Sequence, residues 1–277
     1  MTNFLRILFV VITIFISSNG YCATTPTNIV VVLDLSDRLL SPGQAEKDLA
    51  AIGAMFSSFE ESVRKQFFVK SKDVFSVILI PQRGSKLNAE SYERRLRLDM
   101  NAIPVAEKNR RFMDFKCQLP ATLKSLYQQA QKGTQPSDYF GVDIWKFFNE
   151  SINNHLAQTA RNKVLLLTDG YFDFENDWHT VHSKTRYTSS RFLSSLSGIH
   201  WKKTAEAKDL GIYPIQNKLI AMELVVAGFN AKSTDQFELD KLKYFWQKWL
   251  NECGVRQFKL LSNVNASKFG SSIKNAI

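Results

Sequence analysis

Residues 29–38 have the sequence IVVVLDLSDR, which is the stretch most informative about the fold. The apolar residues 29–33 are mostly β-branched, which is typical of a strand buried on both faces of a parallel sheet. Polar residues follow at once, so a buried strand ends in groups that can carry chemistry. Similar apolar runs occur at 74–80, 164–167 and 219–226, and a shorter one at 258–261. These runs predict the strands of a central sheet.

Residues with helical apolar spacing separate these runs. A helix is predicted to begin after Ser41 and Pro42, and others at 123–130, 144–156, 237–253 and 266–277. The alternation predicts one α/β domain over residues 28–277, a doubly wound, mostly parallel central sheet flanked by helices. Two stretches, at about 82–120 and 171–217, do not fit the alternation, and we interpret them as insertions. The first is predicted to hold a short edge strand around 111–116.

The first 23 residues have the pattern of a secretory signal peptide. Arg6 precedes the run 7–16, which is apolar except for Thr13. This run is too short for a membrane span, which needs about 20 residues. Cleavage after Gly20 and cleavage after Ala23 both fit the pattern. We therefore expect a protein that is periplasmic or secreted.

Two cysteines lie in the predicted mature domain, Cys117 and Cys253. An oxidising compartment would allow them to pair, whereas two free thiols need no such compartment. The sequence leaves both possibilities open.

The chain is basic, with a net charge of +10, and 44% of its residues are hydrophobic. This composition excludes a wholly disordered, collagen-like or polytopic membrane protein. Residues 82–116 carry nine basic and five acidic side chains, including the pairs Arg94-Arg95 and Arg110-Arg111. These pairs are candidate contacts for a partner, for nucleic acid or for an anionic membrane. The interleaved acids equally suit a solvated face, and export makes nucleic acid an unfavourable partner.

Carboxylates follow two of the predicted buried strands, Asp34 after the first and Asp169 after the third. The ends of parallel strands meet at one edge of the sheet, where such folds bind ligands. Two carboxylates there repel each other unless they are paired, protonated or bridged by a cation. Mg²⁺ takes oxygen ligands and needs only one or two carboxylates, and the Ser36 hydroxyl is close in sequence to Asp34.

This pattern resembles the von Willebrand factor type A domain and its metal-ion-dependent adhesion site. The family motif is Asp-x-Ser-x-Ser after the first strand, a Thr in a middle loop and Asp-Gly after a later strand. Asp34, Ser36 and Asp169 with Gly170 match it. The middle-loop ligand is either Thr134 or Ser137, and we prefer Ser137, which is also a candidate helix N-cap. The resemblance implies that Asp34, Ser36, Ser137 and Asp169 hold Mg²⁺ or Mn²⁺, and that an acidic side chain of a protein partner completes the coordination.

Arg38 departs from the motif, because it stands where the family has its second serine. A guanidinium cannot ligate a metal. An alternative is that Arg38 supplies the cation itself and pairs with the two aspartates, so that it replaces the metal.

Three functions are open at this stage. The resemblance implies a non-enzymatic binding, adhesion or assembly module. Asp34 after a buried strand and Thr168 at a strand end also resemble a haloacid-dehalogenase-like phosphohydrolase. That chemistry uses Asp-x-Asp, whereas Ser36 is a poor general acid. A basic surface that binds nucleic acid or anionic membrane is the third.

The segment after Asp169-Gly170 begins with alternating acids, Asp173, Glu175 and Asp177. They are candidates for contact with a partner or for Ca²⁺ binding, although the alternation lacks the glycine of known calcium loops. A solvated insertion explains them equally well.

Overall fold

The computed structural model describes residues 25–82, 84–172 and 185–277. A six-stranded sheet with the order β3-β2-β1-β4-β7-β8 forms its centre, and a separate small sheet holds β5 and β6. The strands are β1 (Thr27–Asp34), β2 (Val74–Ile80), β3 (Arg97–Asp99), β4 (Arg161–Leu167), β5 (Arg186–Tyr187), β6 (Gly211–Ile212), β7 (Met222–Phe229) and β8 (Gln257–Ser262). Every pairing in the large sheet is parallel except that of β3 with β2.

Seven helices are present in the described part of the chain. They are α1 (Gln44–Lys65), α2 (Ala89–Arg95), α3 (Lys108–Ala130), α4 (Ile144–Lys146), α5 (Trp201–Ala207), α6 (Glu238–Glu252) and α7 (Ala266–Ala276). A π-helical turn, Phe147–Ser151, and a 3₁₀ turn, Ile152–His155, continue α4. The prediction of an α/β protein with a mostly parallel central sheet is confirmed.

Both faces of the sheet are covered, as the apolar run in β1 predicts. Val30 and Val32 belong to a core with α4, α6 and the 192–215 region. Ile29, Val31 and Leu33 belong to a second core with α1, α3 and α7. All five side chains are fully buried, and each contributes roughly 1.5–3 kcal/mol to folding. The sheet is therefore a rigid central layer, and the residues at its edges are held in fixed positions.

The register of β1 and β4 positions the candidate site. These strands are adjacent, and Leu33 pairs with Leu167. Asp34 and Thr168 are the next residues on the two strands, so their side chains leave the sheet together at the carboxyl edge. The expectation that the first and third buried runs lie side by side is confirmed.

Some local predictions are wrong. The residues around 111–116 lie inside α3, and the edge strand is instead β3, a pairing too short to leave an apolar run. Residues 84–120 contribute α2, β3 and half of α3. The apolar run 219–226 predicts a strand that begins three residues before β7 does. The run starts early because Leu219 is apolar and buried although it lies in the loop before the strand.

The two cysteines are not bonded to each other, because Cys117 is an exposed free thiol and Cys253 a buried one. Residues 1–24, which contain the predicted signal peptide, lie outside the described residues. Within residues 25–82, 84–172 and 185–277, no helix combines the length and apolar character needed to cross a membrane.

Candidate functional site at the carboxyl edge of the sheet

Asp34 is the last residue of β1 and is only 1% exposed. Its Oδ1 accepts a hydrogen bond from the Ser36 main-chain N–H at 2.9 Å, and its Oδ2 accepts one from the Thr168 hydroxyl at 2.8 Å. Burial, followed by the nearby charge of Asp169, raises the pKa of this carboxyl to about 6. Asp34 is therefore held in place by both neighbouring strand ends.

Asp169 follows β4 at a turn that requires glycine at the next position. Gly170 has φ of +97°, and an added Cβ would lie 2.4 Å from the ring of Phe229. The Gly170 carbonyl accepts a hydrogen bond from the Trp246 indole at 2.7 Å. The Tyr171 main-chain N–H donates to Asp169 Oδ1 at 3.3 Å. These contacts fix the direction of the Asp169 carboxylate.

Arg38 forms its ion pair with Asp48, which corrects the expectation that it pairs with Asp34 and Asp169. The guanidinium donates to both Asp48 oxygens, at 2.9 and 2.8 Å, and to the main-chain carbonyl of Asp34 at 3.1 Å. Gln44 and Tyr127 each donate to Asp48 at 2.8 Å. Burial alone would lower the pKa of Arg38, but Asp48 raises it well above its ordinary value. All four side chains are buried, so this cluster is a saturated internal network.

Lys232 is the basic residue that contacts Asp169. It lies in the loop after β7, and its Nζ is 2.9 Å from Asp169 Oδ2 and 2.9 and 3.0 Å from the two Asp37 oxygens. The ammonium also lies 4.9 Å from the centre of the Tyr171 ring, and the Lys232 main-chain N–H donates to the Tyr171 hydroxyl. Burial lowers the pKa of Lys232, but Asp169 and Asp37 outweigh it and raise the pKa above its usual range.

The contact between Lys232 and Asp169 is an ion pair by distance but not a well-directed hydrogen bond. Asp169 Oδ2 is fully buried, and no donor among the described residues reaches it with hydrogen-bond geometry. The contacts of the ammonium that meet hydrogen-bond geometry are those with the two Asp37 oxygens. The negative charge of Asp169 is thus compensated chiefly by proximity to Lys232.

Asp34 and Asp169, the two carboxylates expected to hold Mg²⁺ or Mn²⁺, lie at one edge of the sheet, but their arrangement does not fit such an ion while Lys232 is in place. Both Asp34 oxygens already accept hydrogen bonds, and the Lys232 ammonium lies between Asp37 and Asp169. In the described part of the chain, no three His, Cys, Asp or Glu side chains converge as metal ligands do. A divalent ion bridging Asp37 and Asp169 would have to displace the ammonium.

The middle loop lies beside this site without reaching the two aspartates. Ser137 and Thr134 are both exposed, and Ser137 belongs to the turn Pro136–Asp138, which packs beside the Asp37–Leu40 turn. Gln82 connects the two regions: its amide donates to the Leu35 carbonyl at 2.7 Å and accepts from the Phe140 N–H at 2.9 Å. Ser137 is not a helix N-cap, because Asp143 caps α4.

The remaining candidate partner residues lie elsewhere or cannot be placed. Asp173, Glu175 and Asp177 lie outside the described residues. Arg94 pairs with Glu90 on α2, and Arg95 stacks on Tyr92. Arg110 and Arg111 lie in the first turn of α3, at the amino end of the sheet, where Arg110 contacts Glu107 and Asp114. Arg110 and Arg111 therefore lie away from the carboxyl edge, and Arg94 and Arg95 contact Glu90 and Tyr92 of their own helix.

Sequence reasoning missed Lys232, Asp37 and the partners of Arg38. The partner of Arg38 was partly predictable from the sequence. Asp48 shares the apolar face of α1 with Ile52 and Met55, and a carboxylate buried on such a face requires a cationic partner. The signal for Lys232 is weaker: it is a cation within a few residues of the end of a strand adjacent to β4.

No protein-family model matches the chain, and no curated protein matches it significantly.

Proposed function

We propose that this protein is an exported binding module of the von Willebrand factor type A kind, which engages a protein partner at the carboxyl edge of its sheet. The observation that carries the proposal is the group Asp37, Asp169 and Lys232. Asp169 directly follows β4, Asp37 begins the turn after β1 and Lys232 lies in the loop after β7. The two outer members, Asp37 and Lys232, are 26% and 39% exposed.

The sheet supports this proposal at the level of architecture. An antiparallel edge strand, β3, completes an otherwise parallel sheet in which the first and fourth strands are central neighbours. The Asp-x-Ser stretch and the Thr-Asp-Gly stretch end those neighbours. This arrangement is compatible with the resemblance stated above, including a ligand edge formed by the loops after β1 and β4.

The surface around the group suits a protein partner. We define the carboxyl-edge surface as Asp37, Ser137, Phe140 and Lys232. Phe140 is 41% exposed although it is large and apolar, and the Lys132 ammonium lies 5.0 Å from its ring centre. An exposed aromatic side chain beside charged groups is the combination that protein interfaces favour.

Hydrolysis by Asp34 has less support. A nucleophilic carboxylate must reach its substrate, but Asp34 is almost fully buried and both of its oxygens accept hydrogen bonds. Binding of nucleic acid or anionic membrane through the arginine pairs also has less support, because Arg94 and Arg110 are each paired with acids.

A quantitative capture experiment tests the proposal. The mature chain is immobilised, exposed to an extract of the cells that produce it, and the bound proteins are quantified by mass spectrometry. Phe140→Asp and Asp37→Arg are compared with wild type. Phe67→Asp is the matched control, because Phe67 is 78% exposed in the loop before β2, at the opposite end of the sheet.

We expect proteins that wild type and Phe67→Asp retain and that both carboxyl-edge variants lose. Circular dichroism verifies that all variants are folded. Identical capture by all four proteins would contradict the proposal. Turnover of a phosphate ester that Asp34→Ala abolishes would establish the phosphohydrolase instead.

A further inference from the structure

The carboxyl edge carries more negative charge than its buried cation can neutralise. Asp34, Asp37 and Asp169 lie at or beside the ends of β1 and β4. The Arg38 guanidinium is committed to Asp48, with which it forms a bidentate pair. Its remaining contact is the main-chain carbonyl of Asp34. The Asp37 and Asp169 carboxylates thus need another counter-charge, because the burial of an uncompensated carboxylate is costly.

Lys232 supplies that charge from a fixed position. Its ammonium contacts Asp37 and Asp169 together, its main chain is bonded to the Tyr171 hydroxyl, and the Tyr171 ring lies under the charge. Tyr171 in turn follows Asp169 by two residues, so the turn that positions the carboxylate also positions the lysine.

The Lys232 contact differs from a structural ion pair in one respect. Asp169 Oδ2 keeps a lone pair to which no hydrogen bond is well directed in the described structure. Two neighbouring carboxylates, one with a buried oxygen that accepts no well-directed hydrogen bond, suit a hydrated Mg²⁺ or Mn²⁺ ion, which exchanges one or two waters for carboxylate ligands. The Lys232 ammonium compensates the charge of this oxygen but does not give it a well-directed hydrogen bond.

From this geometry we infer that Lys232 is a built-in substitute for a divalent cation at the carboxyl edge, and that its side chain keeps Mg²⁺ and Mn²⁺ from Asp37 and Asp169. Removal of the ammonium leaves the Asp37 and Asp169 carboxylates on either side of the position that Lys232 Nζ occupied. The truncated site then takes a divalent ion as its replacement counter-charge. The native edge consequently presents a tethered ammonium, rather than an exchangeable metal, to a partner.

This inference concerns the edge used by the proposed function, and it deepens that proposal by making partner binding independent of metal. Different experiments test the exclusion of metal by Lys232 and the binding of a protein partner, so either can be wrong without the other. Metal titration reports only on Lys232 and its carboxylates. Capture of proteins by wild type and its loss in Phe140→Asp report only on the partner surface.

Isothermal titration calorimetry with MnCl₂ on the tag-free mature protein tests the inference. Wild type, Lys232→Met and the double variant Lys232→Met/Asp169→Asn are titrated under the same conditions. Lys274→Met is the matched control, because Lys274 is an exposed lysine paired with Glu61 on another surface. Lys232→Gln provides a second neutral substitution if the methionine variant is poorly folded.

We expect Lys232→Met to bind one Mn²⁺ at least about tenfold more tightly than wild type does. The double variant and Lys274→Met should behave like wild type. Mn²⁺ should also raise the thermal unfolding midpoint of Lys232→Met alone. Equal affinity in wild type and Lys232→Met would overturn the inference, and so would the absence of Mn²⁺ binding in folded Lys232→Met and Lys232→Gln.

Discussion

Two ion pairs near the same strand ends have opposite characters. Arg38 and Asp48 are both almost fully buried, and every Asp48 contact is a short, well-directed hydrogen bond. Lys232 is 39% exposed, and its contact with Asp169 lacks hydrogen-bond geometry. The first pair is saturated and closed to ligands. The second is unsaturated and borders solvent, which is where recognition can take place.

The largest expected effect on stability comes from breaking the buried pair of Arg38 and Asp48. Asp48→Ala leaves the Arg38 guanidinium buried without its carboxylate, and also deprives Gln44 and Tyr127 of their acceptor. We expect a loss of about 3–5 kcal/mol in the free energy of unfolding. Urea denaturation measures it. Glu107→Ala, which removes the exposed partner of Arg110, is the control and should cost less than about 1 kcal/mol. Similar losses in the two variants would mean that the Arg38–Asp48 pair is no more important for stability than an exposed ion pair.

The second effect concerns the turn that aims Asp169 at Lys232. Gly170→Ala forces a Cβ against the Phe229 ring at a positive φ, and we expect it to cost about 2–4 kcal/mol. Gly53→Ala is the matched control, since Gly53 is an exposed residue of α1 with open space around it. That change should stabilise the protein by about 0.5–1 kcal/mol. Thermal unfolding compares the two variants, and a neutral Gly170→Ala would show that the turn tolerates other geometries.

The third effect is a dependence of stability on pH that arises from Asp34. Its folded pKa of about 6 lies above the ordinary 3.8, so the folded state holds the proton more tightly between those values. This contribution to stability is complete below about pH 4 and is lost as the pH rises through 6. Its size is about 3 kcal/mol.

Asp34→Asn isolates this contribution. Asparagine keeps the carbonyl that accepts from Ser36 and offers an N–H to the Thr168 oxygen, without a buried charge. We expect the variant to gain up to about 2 kcal/mol over wild type at pH 8 and to show a flatter stability profile from pH 4 to 8. Denaturation curves at several pH values provide the measurement. A variant less stable than wild type at pH 8 would mean that the Asp34 charge is favourable.

The smallest effect concerns the unsaturated pair itself. Lys232→Met removes a partly exposed cation and leaves the nearly buried Asp169 carboxylate without its counter-charge, so we expect a loss of about 1–2 kcal/mol in the absence of divalent ions. High salt should reduce the difference from wild type, because part of the pair is exposed to screening. A loss comparable with that of Asp48→Ala would place Lys232 in the structural core rather than at a binding edge.

The sequence predicted the frame of the fold because buried parallel strands leave continuous apolar runs. β1, β2, β4 and β8 were all found this way, and α6 was predicted within one residue at each end. β3 was not found, since three residues of an edge strand carry no periodicity. The first half of α3 is rich in charge and was mistaken for an insertion with a strand, because its apolar face is sparse before Leu119.

The candidate site was predicted in part for a related reason. Asp34 and Asp169 follow buried runs, and strand order alone brings them to one edge. Arg38 was correctly marked as unusual, but its partner Asp48 lies in a helix that the strand-end argument does not consider. Lys232 reaches Asp169 from a loop whose path depends on Gly228 and on a register shift between β7 and β8. Such a path is set by tertiary packing and not by local sequence.

Titration of lysine side-chain resonances by ¹³C NMR shows whether Asp37 and Asp169 hold the Lys232 ammonium as a resident cation, with Lys232→Met used to assign the signal. We expect Lys232 to stay charged at pH 11, above the ordinary lysine pKa of about 10.4, because both carboxylates favour the ammonium. A Lys232 signal that titrates at or below the ordinary value would contradict the role of Lys232 as a resident cation.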